Sequence, residues 1–388
     1  MASVSGKRQQ GTRGGFRTKA DALRAGSKAY TEYNNCGVSL TPSEVSYADF
    51  LDHWMEAYCK TELTAVTCAG YEKRIRNHIK PTLGAYKLSA LSTEIIQKFL
   101  SEKYHAGYSR NSLVSLKGII SGSLKYAVLT AKLLPTNPAT NAHIPSFRVQ
   151  PKTPSRKIER TIISSEQMAT ILKRFPYGTS SHLPILLAYR CGLRLGEAYA
   201  VFWSDIDFEA RTLHVRRQVQ YVDENLVFSP PKYGSARKIR LDSYMLEVLG
   251  RAKFDQAENE KYYAEHYTHN YEGPGRQLLT SPAPGAEEIS LVNVREDGSY
   301  IQPRTERHAS RIIHYQLGFP EYNFHSLRHT HATMLAERGA LPKDIQNRLG
   351  HKNIGVTMQI YVHLTREMED VSIGILEDMP IPDDASDA

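Results

Sequence analysis

Cysteine is scarce in this chain. The four present, Cys36, Cys59, Cys68 and Cys191, form no CxxC pair and are too few for a disulfide framework, so a reducing compartment is expected. No apolar run approaches the about 18 residues that a membrane helix needs. The first residues also lack the apolar stretch of a secretory signal, so export and membrane insertion are not expected. A Gly-rich phosphate loop ending in Lys-Ser/Thr is missing, as is any carboxylate cluster spaced like a two-metal nuclease site. Chemistry driven by nucleotide hydrolysis or by paired metals is therefore not expected. Acidic residues are nearly absent from the first 30 positions, where Asp21 stands against seven Lys/Arg. Residues 367–388 reverse this, with eight Asp/Glu and no Lys/Arg.

At 388 residues, two or three domains are expected. The formal charge is +8, and the acidic end makes the rest more basic than that figure. A basic body with a basic arm points to a polyanionic partner, because neutralising phosphates releases counterions. Residues 1–32 contain Lys7, Arg8, Arg13, Arg17 and Lys19, and read as a short basic strand, a turn and a helix starting near Thr18. An Arg- and Ser-rich, acid-poor transit peptide has a similar composition. The turn-and-cap sequence Gly14-Gly-Phe-Arg-Thr-Lys19 argues against one.

Residues 31–43 read as a linker. Residues 43–148 carry several helical patterns, with Tyr47, Phe50, Leu51, Trp54 and Tyr58 at helical spacing, then Ile95, Ile96, Phe99 and Leu100, then Leu113, Leu116, Ile119, Ile120, Leu124 and Val128. This predicts an all-α domain whose solvated face includes Lys73, Arg74, Arg76 and Lys117. Residues 149–160 continue a Pro- and Lys/Arg-rich stretch from Pro145 that includes Arg148 and Lys152, a linker suited to crossing phosphates. Residues 161–388 read as mixed. Helices are expected near 164–175, 181–190 and 194–202, and strands near 212–220, 226–228 and 236–241. A long helix near 242–266 and a Pro/Gly loop follow, and the chain from about Arg304 is mainly helical.

Six residues of this last region form a possible reaction centre: Arg194 in Cys191-Gly-Leu-Arg-Leu-Gly-Glu-Ala198, Lys232, His325 and Arg328 in His325-Ser-Leu-Arg-His-Thr-His331, His351, and Tyr361 ten residues later. A phenol with a pKa of about 10 is a weak nucleophile that needs a polarised target. Arginine forks can bond two non-bridging phosphate oxygens and do not lose their charge. His325 precedes Arg328 by one helical turn, so both can face one phosphate. Lys232 lies on a turn between strands and could protonate a leaving 5′-oxygen. Each also has a structural reading: Arg194 could simply pair with Glu197, and Tyr361 is one of 23 tyrosines, most of which pack.

In kind, order and spacing these six residues resemble the tyrosine recombinases, the integrases of phages and conjugative transposons, and the resemblance extends over about residues 45–370. It implies a helical core-binding domain, then a mainly α catalytic domain with a small antiparallel β-sheet, closing on DNA as a clamp. It implies that Tyr361 is the nucleophile, that Arg194, His325, Arg328 and His351 activate the phosphate, and that Lys232 is the hairpin lysine. Tyr233 departs from the small polar residue that many relatives place after that lysine. The activity implied is site-specific recombination through a 3′-phosphotyrosine, integrating and excising a mobile element without a cofactor. The implied partners are double-stranded DNA at core and arm sites, three further copies of the chain, and accessory directionality or bending proteins. A bacterial or phage-encoded cytoplasmic protein is implied. Residues 1–32 resemble the end of an arm-type DNA-binding domain whose preceding strands are missing. The tail from residue 364 reads either as docking on a neighbouring copy or as packing on its own domain.

Four other readings compete. His325, His329 and His331 could suggest zinc, but His331 falls well around the helix and no further ligand completes a tetrahedron. Leu341-Pro-Lys-Asp-Ile-Gln-Asn-Arg-Leu-Gly350 resembles the second half of a helix-turn-helix, although its place between Arg328 and Tyr361 favours scaffolding. A type IB topoisomerase shares the chemistry but not strand transfer between two sites. A catalytically silent DNA-binding regulator would not need Arg194, Arg328 and Tyr361 together.

Overall fold

Serine and threonine set the helix starts of the first half of the chain. Ser46, Thr64, Ser92 and Ser109 each cap a helix by accepting the backbone N–H three residues on. In the computed structural model, the residues described are 3, 4, 7, 8, 15, 16, 18–36, 45–146, 161–222, 224–361, 373, 374 and 377. They divide into two units, Met1–Thr153 and Pro154–Ala388.

In the first unit, β1 (Ser3–Val4) and β2 (Lys7–Arg8) form an antiparallel hairpin. Helix α1 (Lys19–Cys36) starts where Thr18 Oγ1 accepts the Asp21 N–H at 3.2 Å. It runs six residues into the stretch expected to be linker, because the first helix breaker after Tyr30 is Gly37. Helices α2 (Tyr47–Trp54), α3 (Ala65–Arg74), α4 (Thr93–His105) and α5 (Arg110–Leu129) enclose one core. The expected core positions on α2, α4 and α5 are buried, apart from half-buried Ile95 and Val128. Tyr58 differs, at 38% exposed. Helix α2 continues through a π turn, Met55–Cys59, whose extra residue shifts the helical register, so Cys59 takes the buried position and Tyr58 stacks on Trp54 at the edge.

The second unit is mainly helical with small antiparallel sheets. Helices α6 (Ser165–Arg174) and α7 (His182–Cys191) form as expected, but the next, α8 (Leu195–Ala198), ends after four residues. There the chain turns extended, and Phe202 bridges to Leu291. The sheet β3 (Ile206–Asp207), β4 (Thr212–Val215) and β7 (Arg237–Arg240) lies beside the hairpin β5 (Gln218–Val222) and β6 (Asn225–Ser229) in sequence. The single strand expected over 212–220 is broken at Arg216 and Arg217, whose guanidiniums both turn to buried Asp205. Helix α9 (Ser243–Tyr263) is capped by Asp242. The following Pro/Gly segment, expected as a loop, holds three short strands, β8 (Asn270–Glu272), β9 (Leu278–Leu279) and β10 (Glu287–Ile289). Four helices complete the unit: α10 (Thr305–Tyr315), α11 (Phe324–Glu337), α12 (Pro342–Leu349) and α13 (Ile354–Tyr361). Helix α11 packs along α7, which brings the Arg194 turn against the helix carrying Arg328.

The core contains a carboxyl group. Glu306 is 4% exposed, and its Oε1 accepts from Tyr322 (3.0 Å) and Ser310 (3.1 Å). Burial pushes it up to about 7 against the opposing effect of those two bonds. Folded protein then holds a proton that unfolded protein loses near pH 4.5, so stability falls as pH rises from about 4.5 through 7. Glu306→Gln should raise the melting temperature at pH 8, worth up to about 3 kcal/mol, and change it little at pH 4. Thermal melts at both values check this, and an equal shift at both would count against it.

Candidate active site

Gly192 ends α7 at φ +69°, a left-handed conformation that suits glycine. A Cβ there would lie 2.8 Å from both His331 Cδ2 and Leu349 Cδ2. Two residues after this tight reversal, Arg194 caps α8, and Glu197 in the first turn of that helix reaches back to it. Glu197 Oε2 accepts the Arg194 backbone N–H at 2.9 Å and Oε1 accepts from Arg194 Nη1 at 2.7 Å. The structural reading of Arg194 as a partner of Glu197 therefore holds alongside any reactive role. Arg194 also donates to Ser235 Oγ (3.2 Å) and to the Gly350 carbonyl (3.3 Å).

Two more guanidiniums converge on the same carboxylate. Arg237, on β7, donates to Glu197 through Nη1 (3.1 Å) and Nη2 (2.8 Å), and Arg328 Nη1 lies 3.9 Å from it. Arg328 spends other bonds on the carbonyls of Gly192 (2.7 Å) and Leu349 (2.6 Å). Burial alone would raise the Glu197 pKa, but the Arg237 bond and the charges of Arg237 and Arg194 hold it down at about 2. Burial, then the Arg194 charge, lowers Arg328 to about 9, which leaves it protonated at neutral pH. Three cations thus share one anion in a buried pocket. Only Arg194 keeps an appreciable exposed part, 21% of its side chain against 6% for Arg237 and 2% for Arg328.

The two histidines sense this excess of positive charge. His351 follows Gly350, which ends α12 at φ +66°, and its Nδ1 pairs with Thr357 Oγ1 at 2.9 Å. Burial, then the charges of Arg328 and Arg194, lowers His351 to about 3. The same three causes, in the same order, lower His325. Both rings are therefore neutral at pH 7. His325 and Arg328 share α11, while the His325 ring meets His329 edge-on at 4.5 Å between centroids.

Lys232 is exposed on the 3-10 turn Lys232–Gly234 between β6 and β7. The segment leading from this turn into β7 touches the site through Ser235 and Arg237. Tyr361 lies apart from the arginines: its hydroxyl donates to the Ala340 carbonyl at 2.6 Å, and its ring packs against the small cluster Ala332, Ala336, Ile345 and Leu349. Burial, then Asp344, raises its pKa. The structure thus gathers Arg194, Arg328, His325 and His351 closely enough for the arginine charges to act on both histidines, and leaves the Tyr361 hydroxyl on a backbone carbonyl.

Lys73 and Arg74, at the end of α3, and Arg76, in the π turn that follows, are exposed, and Arg74 folds back on the Gly70 carbonyl (3.0 Å). Lys117 is half-buried on α5, and Lys19 is exposed at the start of α1. Lys7 and Arg8 form β2. Arg13, Arg17, Arg148 and Lys152 lie outside the described residues, as do the 149–160 linker and most of the tail after residue 364.

Sequence reasoning missed three members of the site's frame. Arg237 and Ser235 had no local signal. His331 entered only as a possible zinc ligand, yet both its nitrogens are occupied, Nδ1 with the Tyr189 carbonyl (2.9 Å) and Nε2 accepting from Arg348 Nε (2.9 Å). The helix-turn-helix resemblance corresponds to α11, its turn and α12, and α12 ends in the turn that carries His351.

Residues 162–368 match the Phage integrase family, and residues 46–104 match the Phage integrase, N-terminal SAM-like domain. The chain is 28% identical over 376 residues to a tyrosine recombinase XerC-like protein of Caldanaerobacter subterraneus, covering 94% of this chain and 90% of that one. It is 24% identical over 355 residues to an integrase of Streptomyces ambofaciens, covering 90% and 84%. In fold it resembles the Tn1549 transposon integrase in complex with transposon right end DNA, with a TM-score of 0.64, 16% identity, and coverage of 86% of this chain and 100% of that one. It also resembles the lambda integrase in a tetramer bound to a Holliday junction, with a TM-score of 0.56, 18% identity, and coverage of 90% and 88%.

The charge imbalance predicts the titration of His351. Nitrogen-15 NMR of its ring should show a neutral imidazole from pH 8 down to pH 5, and Arg194→Gln should move its protonation upward. Titration near pH 6.5 in the unaltered protein would mean that the arginines do not act on it.

Proposed function

The chain belongs to the phage integrase family and is a site-specific DNA recombinase that cleaves and rejoins DNA; we propose that the pocket around Glu197 is where it does so. The observation that carries this reading is the uncompensated positive charge of Arg194, Arg237 and Arg328 around one carboxylate. A buried excess of cations is costly unless an anion completes it, and a phosphodiester supplies charge on two non-bridging oxygens. Arg194, the most exposed of the three, is the first to reach it, and Arg328 completes the fork. His325 and His351, held neutral, can donate to the same oxygens without adding charge.

In the cleavage step the Tyr361 oxygen attacks phosphorus, the new P–O bond forms a 3′-phosphotyrosine, and the bond to the 5′-oxygen breaks. Lys232 gives that oxygen its proton, and the phenol proton passes to a base in the site. Religation is the reverse with a different 5′-hydroxyl. One diester replaces another, so no nucleotide hydrolysis is required. Tyr361 first leaves the Ala340 carbonyl, since its hydroxyl there is tied to backbone. Lys73, Arg74, Arg76 and Lys117 are read as backbone contacts of the helical unit, and the basic residues of 1–32 as contacts to outlying DNA sites. Four copies on two DNA sites, accessory DNA-bending partners and a cytoplasmic setting complete the proposal. The tetrameric lambda integrase complex supports the first of these.

Two experiments test the assignment. Tyr361→Phe should bind core-site DNA normally and form no covalent adduct on a nicked suicide substrate, and any adduct would move the nucleophile elsewhere. Lys232→Ala should cleave ordinary DNA slowly but recover most of its rate when sulfur replaces the bridging 5′-oxygen, because a thiol of pKa about 8.5 leaves without a proton donor. Arg194→Ala should not recover. Equal sulfur-to-oxygen rate ratios in the two variants would place the general acid outside Lys232.

A further inference from the structure

Arg237 is none of the six motif residues, yet it makes as many hydrogen bonds in the site as Arg194 does. Its Nε donates to the Arg348 carbonyl at 2.7 Å, Nη1 and Nη2 grip Glu197, and Nη1 also reaches the Ser235 carbonyl at 3.3 Å. We infer that Arg237 is a positioning residue for strand cleavage, locking Glu197, and through it Arg194, to both the Lys232 hairpin and the His351 turn. This rests on the assignment of Arg194, Lys232 and His351 to the reaction.

The contacts span the chain. Arg237 begins the strand after the hairpin that carries Lys232. Glu197 belongs to the helix that Arg194 caps. The Arg348 carbonyl is three residues before His351, and a Cβ on the intervening Gly350 would meet Ser235 Cβ at 3.0 Å and Arg237 Cδ at 3.1 Å. Three catalytic segments thus meet at one guanidinium, and a planar fork with five donors can serve all of them where an ammonium cannot.

Stability alone gives a poor account of this residue. A buried charge is often replaced by an apolar group of similar volume at little cost when its partner leaves with it. What Arg237 supplies is a second claim on Glu197. With both carboxylate oxygens held by Arg237, Arg194 keeps a single bond of 2.7 Å to Oε1 and has donors left for phosphate. The charged groups facing Glu197 are Arg194, Arg237 and Arg328, and only the first two hydrogen-bond to it. Without Arg237, burial gains on the remaining charges, and the carboxyl takes up a proton at a pH where the native protein does not.

The test measures adduct formation on the nicked suicide substrate with the full chain, from pH 5 to 8, in Arg237→Gln, Arg237→Lys, Glu197→Gln and the Arg237→Gln/Glu197→Gln double variant. Arg237→Gln should lose about 100-fold in cleavage rate at pH 7 with saturating DNA, and lose progressively more as pH falls toward 5. The double variant should lack that acidic limb and be no slower than Arg237→Gln alone at pH 5. Arg237→Lys keeps the charge but not the carbonyl grip, so it should be slowed with no acidic limb. A rate loss in Arg237→Gln that is constant with pH and multiplies with that of Glu197→Gln would overturn the proposal. If Arg237→Gln does not fold, a native rate in Arg237→Lys would do the same. Tyr361→Phe in the same assay separates the two levels: an adduct from it sinks the catalytic reading, whereas its silence together with a pH-independent Arg237→Gln sinks only this inference.

Discussion

One carboxylate shared among three guanidiniums is the constraint on which the rest of this site depends. Glu197 is 1% exposed, and burial alone would neutralise it. Arg237 and Arg194 keep it ionised, and its charge in turn lets them remain charged away from water. The sharing is incomplete, since one negative charge cannot satisfy three positive ones. His351, at a neighbouring helix end, is lowered by burial first and then by that same excess of charge.

Two tight glycine turns bring the chain close enough for this. Gly192 and Gly350 both adopt left-handed conformations at helix ends, and neither has space for a side chain. Their carbonyls, with that of Leu349, accept from Arg194 and Arg328. The arginines are consequently fixed by backbone, which costs no side-chain order in a partner. Behind them, His331 and Arg348 tie α11 and α12 to the end of α7 by hydrogen bonds to the Tyr189 and Arg190 carbonyls and to each other. Such preorganisation is what electrostatic stabilisation of a transition state requires.

Tyr361 is held by different forces. Tyr361 packs in a cluster of four small or aliphatic side chains and donates one hydrogen bond to a backbone carbonyl. That environment raises its pKa, the opposite of activation. The arginine cluster and Tyr361 thus belong to separately stabilised parts of one unit.

Sequence alone determined much of this protein. Local rules placed the helix start at Thr18 and the periodic apolar residues that fill the helical core. The order Arg194, His325, Arg328, His351, Tyr361 carried the resemblance to the family that the chain matches. Where local rules competed with tertiary contacts they failed: Tyr58 lost its core place to a π turn, and the strand over 212–220 broke where Arg216 and Arg217 reach Asp205. Arg237, Ser235 and the true partners of His331 were invisible, since they bind residues up to 142 positions away and leave no period or motif behind. Only the folded chain decides which of its many arginines surround Glu197, because the choice depends on distances of a few ångströms between segments that the sequence keeps far apart.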